Sequence, residues 1–113
     1  MTPLLDTTNL DDMLAMLGDE FRDIVRQFVD QLEPDVAGIT AARAAADWDT
    51  LVRLAHTLKG SSGNMGAVAL ADQAARIERA ARARDGAQAD AALDGLQALA
   101  RQTVAALRAG GYA

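Results

Sequence analysis

The sequence predicts an all-α fold, an antiparallel four-helix bundle with a short additional N-terminal helix. Alanine, which has the highest intrinsic helix propensity, is the most frequent residue. Only two of the 113 residues are prolines, and apolar residues recur every three to four positions, as they do along the buried side of a helix. A chain of this length makes one domain, expected to span residues 1–113 with its core bundle over about residues 18–109.

Capping residues and turn signals divide the chain into five predicted helices. Thr8 or Asn9 is the expected N-cap of the first helix, and Asp47 that of the third. Pro34 should bend the second helix or split it, and Asp85-Gly86 is a turn signal before the fifth. The predicted ranges, each good to a few residues, are about 9–17, 19–46, 48–63, 67–84 and 87–109.

Charge and composition exclude several classes of function. The formal net charge of −5 argues against a nucleic-acid partner, because phosphate backbones are bound through clustered Lys and Arg. No segment has a basic face opposite a bulky apolar one, no apolar run approaches the ~20 residues of a membrane span, and the N-terminus does not read as a signal peptide. With no cysteine, one histidine and no calcium-loop spacing, no metal site is expected. We expect a cytoplasmic protein.

The single histidine lies on the outer face of the third predicted helix. At ~100° per residue, His56 is about 160° around the helix from Leu58, which shares the core-facing side with Leu51, Ala55 and Ser62. The imidazole should therefore face solvent. The residues that share its face are Val52, Arg53, Lys59, Gly60 and Gly63.

Glycine beside His56 requires an explanation, because glycine inside a helix costs about 0.5–1 kcal/mol relative to alanine. Gly60 and Gly63 follow His56 by four and seven residues, so its C-terminal side lacks side chains. We infer that this bare surface lets another protein or a phosphoryl group approach the ring. Arg53 and Lys59, one turn to either side, can offset the charge of a phosphoryl group.

Histidine suits phosphoryl transfer because its ordinary pKa of ~6.5 leaves a neutral, nucleophilic nitrogen available near pH 7. Taken singly, the features also fit an incidental surface histidine, a solvated pair of cations and a loose helix end. Their combination in one short stretch favours the phosphotransfer interpretation.

The stretch resembles the histidine-containing phosphotransfer (HPt) domains of bacterial and fungal multistep phosphorelays. Their pattern Ala-His-x-Leu-Lys-Gly, with a further glycine later, is matched by Ala55, His56, Leu58, Lys59, Gly60 and Gly66. The turn at 46–48 and the segment 69–78 extend the resemblance to nearly the whole chain.

The resemblance implies that His56 accepts a phosphoryl group from an aspartyl phosphate on a receiver domain and passes it to another receiver. Lys59 would contact the phosphoryl group or steady its charge, and Gly60 would keep the site open. Magnesium would be supplied by the receiver, so the chain itself needs no cofactor. Val52 and Gly63 are the expected docking residues.

Two further positions have alternative interpretations. Family members often place a glutamine where this chain has Glu78, and a carboxylate there could accept a hydrogen bond from the imidazole or repel the phosphoryl group. Glu78 could equally be an exposed charge paired with Arg82. Ser61 could donate to the phosphoryl group or merely to its own helix backbone.

The implied partners are response-regulator receiver domains or a hybrid histidine kinase, bound by a monomer that has no independent catalytic activity.

A sensor-kinase dimerisation domain is one alternative function. In those domains an acidic residue usually follows the histidine and a proline comes soon after, whereas this chain has Thr57 and Leu58. A docking bundle with an idle histidine is the second. A hydrolase that uses His56 as general base is the weakest, since no partner residue is spaced for it on the same helix.

Overall fold

The computed structural model describes residues 2–113, which form six α-helices and no strand. The all-α prediction is confirmed. The helices are α1 (Thr7–Leu17), α2 (Asp19–Ala44), α3 (Trp48–Asn64), α4 (Val68–Arg82), α5 (Gly86–Leu93) and α6 (Leu96–Ala109).

Aspartate side chains cap three of these helices. The Asp47 carboxylate accepts a hydrogen bond from the Thr50 backbone N–H at 3.2 Å, as predicted for the start of α3. The cap predicted for α1 is wrong, because Thr8 and Asn9 lie inside the helix and Asp6 caps it. The Asp6 backbone N–H also donates to the Gly66 carbonyl at 2.7 Å, and this tertiary bond ties the start of α1 to the turn after α3.

Pro34 does not split α2, which continues through it to Ala44, so that alternative is wrong. The ring of Pro34 faces solvent, while Leu32 and Val36 on either side of it are buried in the core. The backbone bond that proline removes would have used the carbonyl of Asp30, which is an exposed residue. Packing of the flanking residues therefore keeps the helix continuous. The bend expected there stays a prediction.

The fifth predicted helix is two helices, α5 and α6, separated by Asp94 and Gly95. Gly95 has a φ of +77°, a left-handed conformation that glycine adopts at little cost. The buried side chain of Gln73 holds the break from α4, donating through Nε2 to the carbonyls of Ala92 and Asp94 at 2.9 Å each. The single-helix prediction is wrong because the leucine spacing continues across this turn.

The core forms where α3 packs along α4 while α2 lies against α3 and α6. Its largest fully buried apolar side chains are Phe21, Leu10, Ile39, Leu51, Leu58, Leu70, Ile77, Leu107 and Val25. The C-terminal residues close one end, with the buried Tyr112 hydroxyl donating to Asp11 and the Arg22 Nε donating to the Gly111 carbonyl. Across residues 2–113, none of the helices combines the length and the apolar character of a bilayer span.

Candidate functional site

His56 lies on the outer face of α3, and 63% of its side chain is exposed. Leu51, Ala55, Leu58 and Ser62 are fully buried on the opposite side of the same helix. The amphipathic pattern of α3 thus fixes the direction of the imidazole, since these four residues anchor the helix and leave position 56 facing solvent.

The imidazole is held from α4 by Glu78, whose side chain is only 7% exposed. Nδ1 of His56 lies 3.1 Å from Oε2 of Glu78. The same carboxylate binds two cations: Lys59 Nζ lies 2.8 Å from Oε1, and Arg82 reaches Oε2 through Nη2 at 2.7 Å and Nε at 3.1 Å. We call these four residues the Glu78 cluster.

The contacts within the Glu78 cluster keep the Glu78 carboxylate ionised although it is buried. The hydrogen bond from Lys59, and then those from Arg82 and His56, lower the pKa of the Glu78 carboxyl from 4.5 to about 2, against the opposing effect of burial. An ionised carboxylate can only accept a hydrogen bond, so the neutral imidazole beside it carries its hydrogen on Nδ1. In that tautomer Nε2 has the free lone pair.

Both alternatives for Glu78 describe part of the structure. Its carboxylate contacts the imidazole and also pairs with Arg82. The alternative in which Glu78 is an exposed charge is wrong about its exposure, because α3 packs over α4 at this point and covers the carboxylate. The pairing of Lys59 with Glu78 was not anticipated from the sequence, since it joins two helices rather than neighbours on one.

Neither backbone conformation nor packing requires glycine at positions 60 and 63. Both residues are exposed in α3 without a positive φ, and a Cβ built on either would have no atom within 4 Å. Gly66 differs, because its φ is +67° and a Cβ there would lie 3.2 Å from Cγ of Leu10. The bare surface beside His56 is therefore open to an approaching molecule, whereas Gly66 serves the fold.

The other residues of α3 that the sequence predicts for the site differ in exposure and in contacts. Arg53 is exposed and, within residues 2–113, lies in no ion pair. Val52 is half-buried against the core. The Ser61 hydroxyl donates to the Leu58 carbonyl at 3.2 Å, which matches the backbone alternative, and it lies about 140° around α3 from His56.

Positive side chains on α4 and in the turn that follows it also face α3. Besides Arg82, the exposed Arg84 places Nη2 3.7 Å from Oδ1 of Asp49 at the start of α3. Charge is also divided along the chain: residues 1–44 contain nine acidic and three basic side chains, and residues 45–113 contain seven and eight. The site thus lies in the less acidic part of an acidic protein.

Among the described residues, no three His, Cys, Asp or Glu side chains are grouped to hold a metal ion.

Comparisons with known proteins agree with this geometry. The sequence profile described as "Hpt domain" matches residues 23–110. The fold is similar to the crystal structure of histidine-containing phosphotransfer protein B (HptB) from Pseudomonas aeruginosa PAO1, with a TM-score of 0.89 and 28% sequence identity over 97% of this chain and 96% of that one. No match was found among curated protein sequences. The family profile covers most of the chain, including the whole of α3 and α4, and the protein therefore belongs to the Hpt domain family.

Proposed function

We propose that this protein is a histidine phosphotransfer intermediate of a phosphorelay, in which His56 accepts a phosphoryl group from a receiver-domain aspartate and passes it to another receiver. The observation that carries the proposal is the state of the imidazole: it is exposed, its Nδ1 contacts Glu78, and its Nε2 is left to react. Family membership and the similarity to a phosphotransfer protein support the same function.

The proposed reaction exchanges one bond for another. The Nε2 lone pair attacks the phosphorus of the aspartyl phosphate, the N–P bond forms, and the P–O bond breaks to release the receiver's carboxylate. The second transfer reverses these changes on another receiver, and Nδ1 keeps its hydrogen throughout. Such transfer requires mainly positioning and charge stabilisation from the protein. We propose that Mg²⁺ comes from the receiver and that this chain, having no independent catalytic activity, contributes no cofactor.

The site suits an acidic partner. Receiver domains, free or within a hybrid histidine kinase, would meet Arg53, Lys59 and Arg82 around a histidine whose neighbouring glycines leave room for contact. Val52 and Gly63 would lie within this contact surface. We propose a cytoplasmic monomer that binds neither nucleic acid nor membrane, with α2, α3, α4 and the α5–α6 pair arranged as an antiparallel four-helix bundle.

Phosphotransfer from a receiver labelled on its aspartate tests the proposal. The wild-type protein should acquire acid-labile, base-stable label, and the His56→Gln variant should acquire none while keeping its helical circular dichroism. Equal labelling of both proteins would refute the assignment of His56. A monomer in gel filtration would separate this function from that of a sensor-kinase dimerisation domain, which requires a dimer.

A further inference from the structure

The two oxygens of the Glu78 carboxylate have different partners. Oε2 contacts the His56 ring and both Nε and Nη2 of Arg82, whereas Oε1 contacts Lys59. In the described part of the chain, Lys59 is the one residue bonded to Oε1. Lys59 can therefore leave the carboxylate without disturbing the contacts that orient the imidazole.

Lys59 is also placed to move. Its side chain is 40% exposed, so the ammonium group already has access to solvent on the side of α3 that carries His56. A lysine ammonium ends a flexible four-carbon stem and forms bonds in any direction, unlike the planar guanidinium of Arg82. Lys59 follows His56 by three residues, and side chains at this spacing are neighbours on a helix surface.

Phosphorylation would change the balance of charge in the Glu78 cluster. With a neutral imidazole, the cluster holds two cations and one carboxylate. A phosphoryl group carries a charge of about −1.5 to −2 at neutral pH, but the ring that keeps its Nδ1 hydrogen becomes a cation, so the cluster gains about one net negative charge. This new anion and Glu78 would then compete for Lys59, while Arg82 remains to neutralise Glu78.

We infer that Glu78 is a positioning residue that competes with the phosphoryl group for Lys59, and that this competition lowers the stability of phosphorylated His56 and favours onward transfer. This inference rests on the proposed function. Lys59 exchanges from Oε1 of Glu78 to the phosphoryl oxygens when His56 is phosphorylated, and it returns when the group leaves. The exchange trades one partly exposed ion pair for another, so its free-energy change is small and sensitive to the charge on residue 78.

Replacing Glu78 by glutamine should reveal the competition. The amide oxygen of glutamine can still accept the hydrogen bond from Nδ1, but it no longer holds Lys59 by charge. At equilibrium with a phosphorylated receiver, Glu78→Gln should therefore shift the partition toward phosphorylated His56 by ~3- to 5-fold, the size of one partly exposed ion pair. Onward transfer to a second receiver should slow correspondingly.

A double-variant cycle distinguishes exchange of Lys59 from simple repulsion between Glu78 and the phosphoryl group. In a Lys59→Gln background, Glu78→Gln should change the partition by less than half as much as it does in the wild type, because no lysine remains to be released. An equal shift in both backgrounds would overturn the inference, as would no shift, or a shift toward the receiver, in the wild-type background.

Two controls separate this test from loss of the proposed function or of the fold. Glu33→Gln removes the same charge from an exposed position on α2 and should leave the partition unchanged. Nitrogen-15 spectra of His56 should show hydrogen on Nδ1 in both the wild type and Glu78→Gln, and loss of that tautomer in the variant would overturn the exchange. Failure of the wild-type protein to accept phosphate would instead count against the proposed function itself.

Discussion

Gly66, in the turn after α3, lies so close to Leu10 of α1 that a Cβ on the glycine would be 3.2 Å from Cγ of the leucine. The same Cβ would be 3.3 Å from the carbonyl oxygen of Asp6. Gly66 and Gly60 belong to one sequence motif, but only Gly66 is surrounded by the protein. The motif therefore combines a glycine required for folding with glycines that leave an open surface.

Gly66→Ala should destabilise the fold by about 2 kcal/mol, because a left-handed conformation is costly for alanine and the new methyl group crowds Leu10. Urea unfolding followed by circular dichroism measures the loss. Gly95→Ala is the matched control, since Gly95 has a similar φ of +77° but no atom within 4 Å of its Cβ position. Equal losses in the two variants would mean that the contact with Leu10 contributes nothing.

Gly60→Gln should reduce the rate of phosphotransfer from a receiver by at least ~10-fold, because a long side chain would cover the approach to His56. The same change should leave the fold intact or stabilise it by about 0.5–1 kcal/mol, as expected when glycine is replaced within a helix. Ala98→Gln, at an exposed position on α6, controls for adding the side chain elsewhere. Unchanged transfer by Gly60→Gln would contradict the role given to the bare surface.

The Glu78 cluster should make stability depend on pH in the acid range. The pKa of the Glu78 carboxyl is about 2 in the folded protein and 4.5 in its ordinary state, so its ionised contacts stabilise the fold above about pH 5. That contribution, on the order of 2 kcal/mol because the partner cations are partly exposed, is lost as the pH falls through about 2. The difference in unfolding free energy between wild type and Glu78→Gln should therefore become smaller between pH 7 and pH 3. A constant difference over that range would contradict the prediction.

Association with an acidic receiver should weaken as salt is added, because Arg53 and its cationic neighbours attract the partner over a distance that salt screens. Arg53→Gln should lower the rate of transfer at limiting protein concentration by ~2- to 5-fold and reduce its dependence on ionic strength. Arg101→Gln removes an exposed positive charge on α6 and should have little effect. The same salt dependence in wild type and Arg53→Gln would argue against steering by Arg53.

Ser62 has a fully buried hydroxyl without a hydrogen-bond partner in residues 2–113. Removing a buried polar group that lacks a partner relieves a desolvation cost, so Ser62→Ala should leave stability unchanged or raise it by up to about 1 kcal/mol. Thermal unfolding provides the measurement. Ser61→Ala is the comparison, since the Ser61 hydroxyl donates to a helix carbonyl. A marked loss of stability in Ser62→Ala would indicate a partner for this hydroxyl.

The helix boundaries follow from local sequence patterns where one pattern is clear, and the prediction is wrong where two patterns disagree. Asp47 was predicted correctly because a capping aspartate precedes an amphipathic run. The break at Gly95 was missed although Asp94-Gly95 is a turn signal, because the periodic leucines on both sides suggested a single helix. At the start of α1, several adjacent residues could cap, and only the tertiary bond between Asp6 and Gly66 distinguishes among them.

The candidate site was predictable to the extent that one helix determines it. The position of His56 relative to the buried residues of α3 follows from helical periodicity alone. The burial of Glu78 and its bond with Lys59 depend on how α4 packs beside α3, which periodicity does not encode. A charged residue is normally exposed, so the local pattern left open whether Glu78 faces solvent or the imidazole.

The two hydrogen bonds that Gln73 donates to the α5–α6 break limit how this fold can be redesigned. Replacing Asp94 and Gly95 by alanine to fuse the two helices would gain about 1 kcal/mol of helix propensity from the glycine position. The carbonyls of residues 92 and 94 now accept hydrogen bonds from the Gln73 amide, and in a continuous helix they would accept backbone hydrogen bonds instead. A buried side-chain amide without hydrogen-bond partners costs about 1–3 kcal/mol. Fusing α5 and α6 would therefore destabilise the fold unless Gln73 were replaced by an apolar residue in the same step.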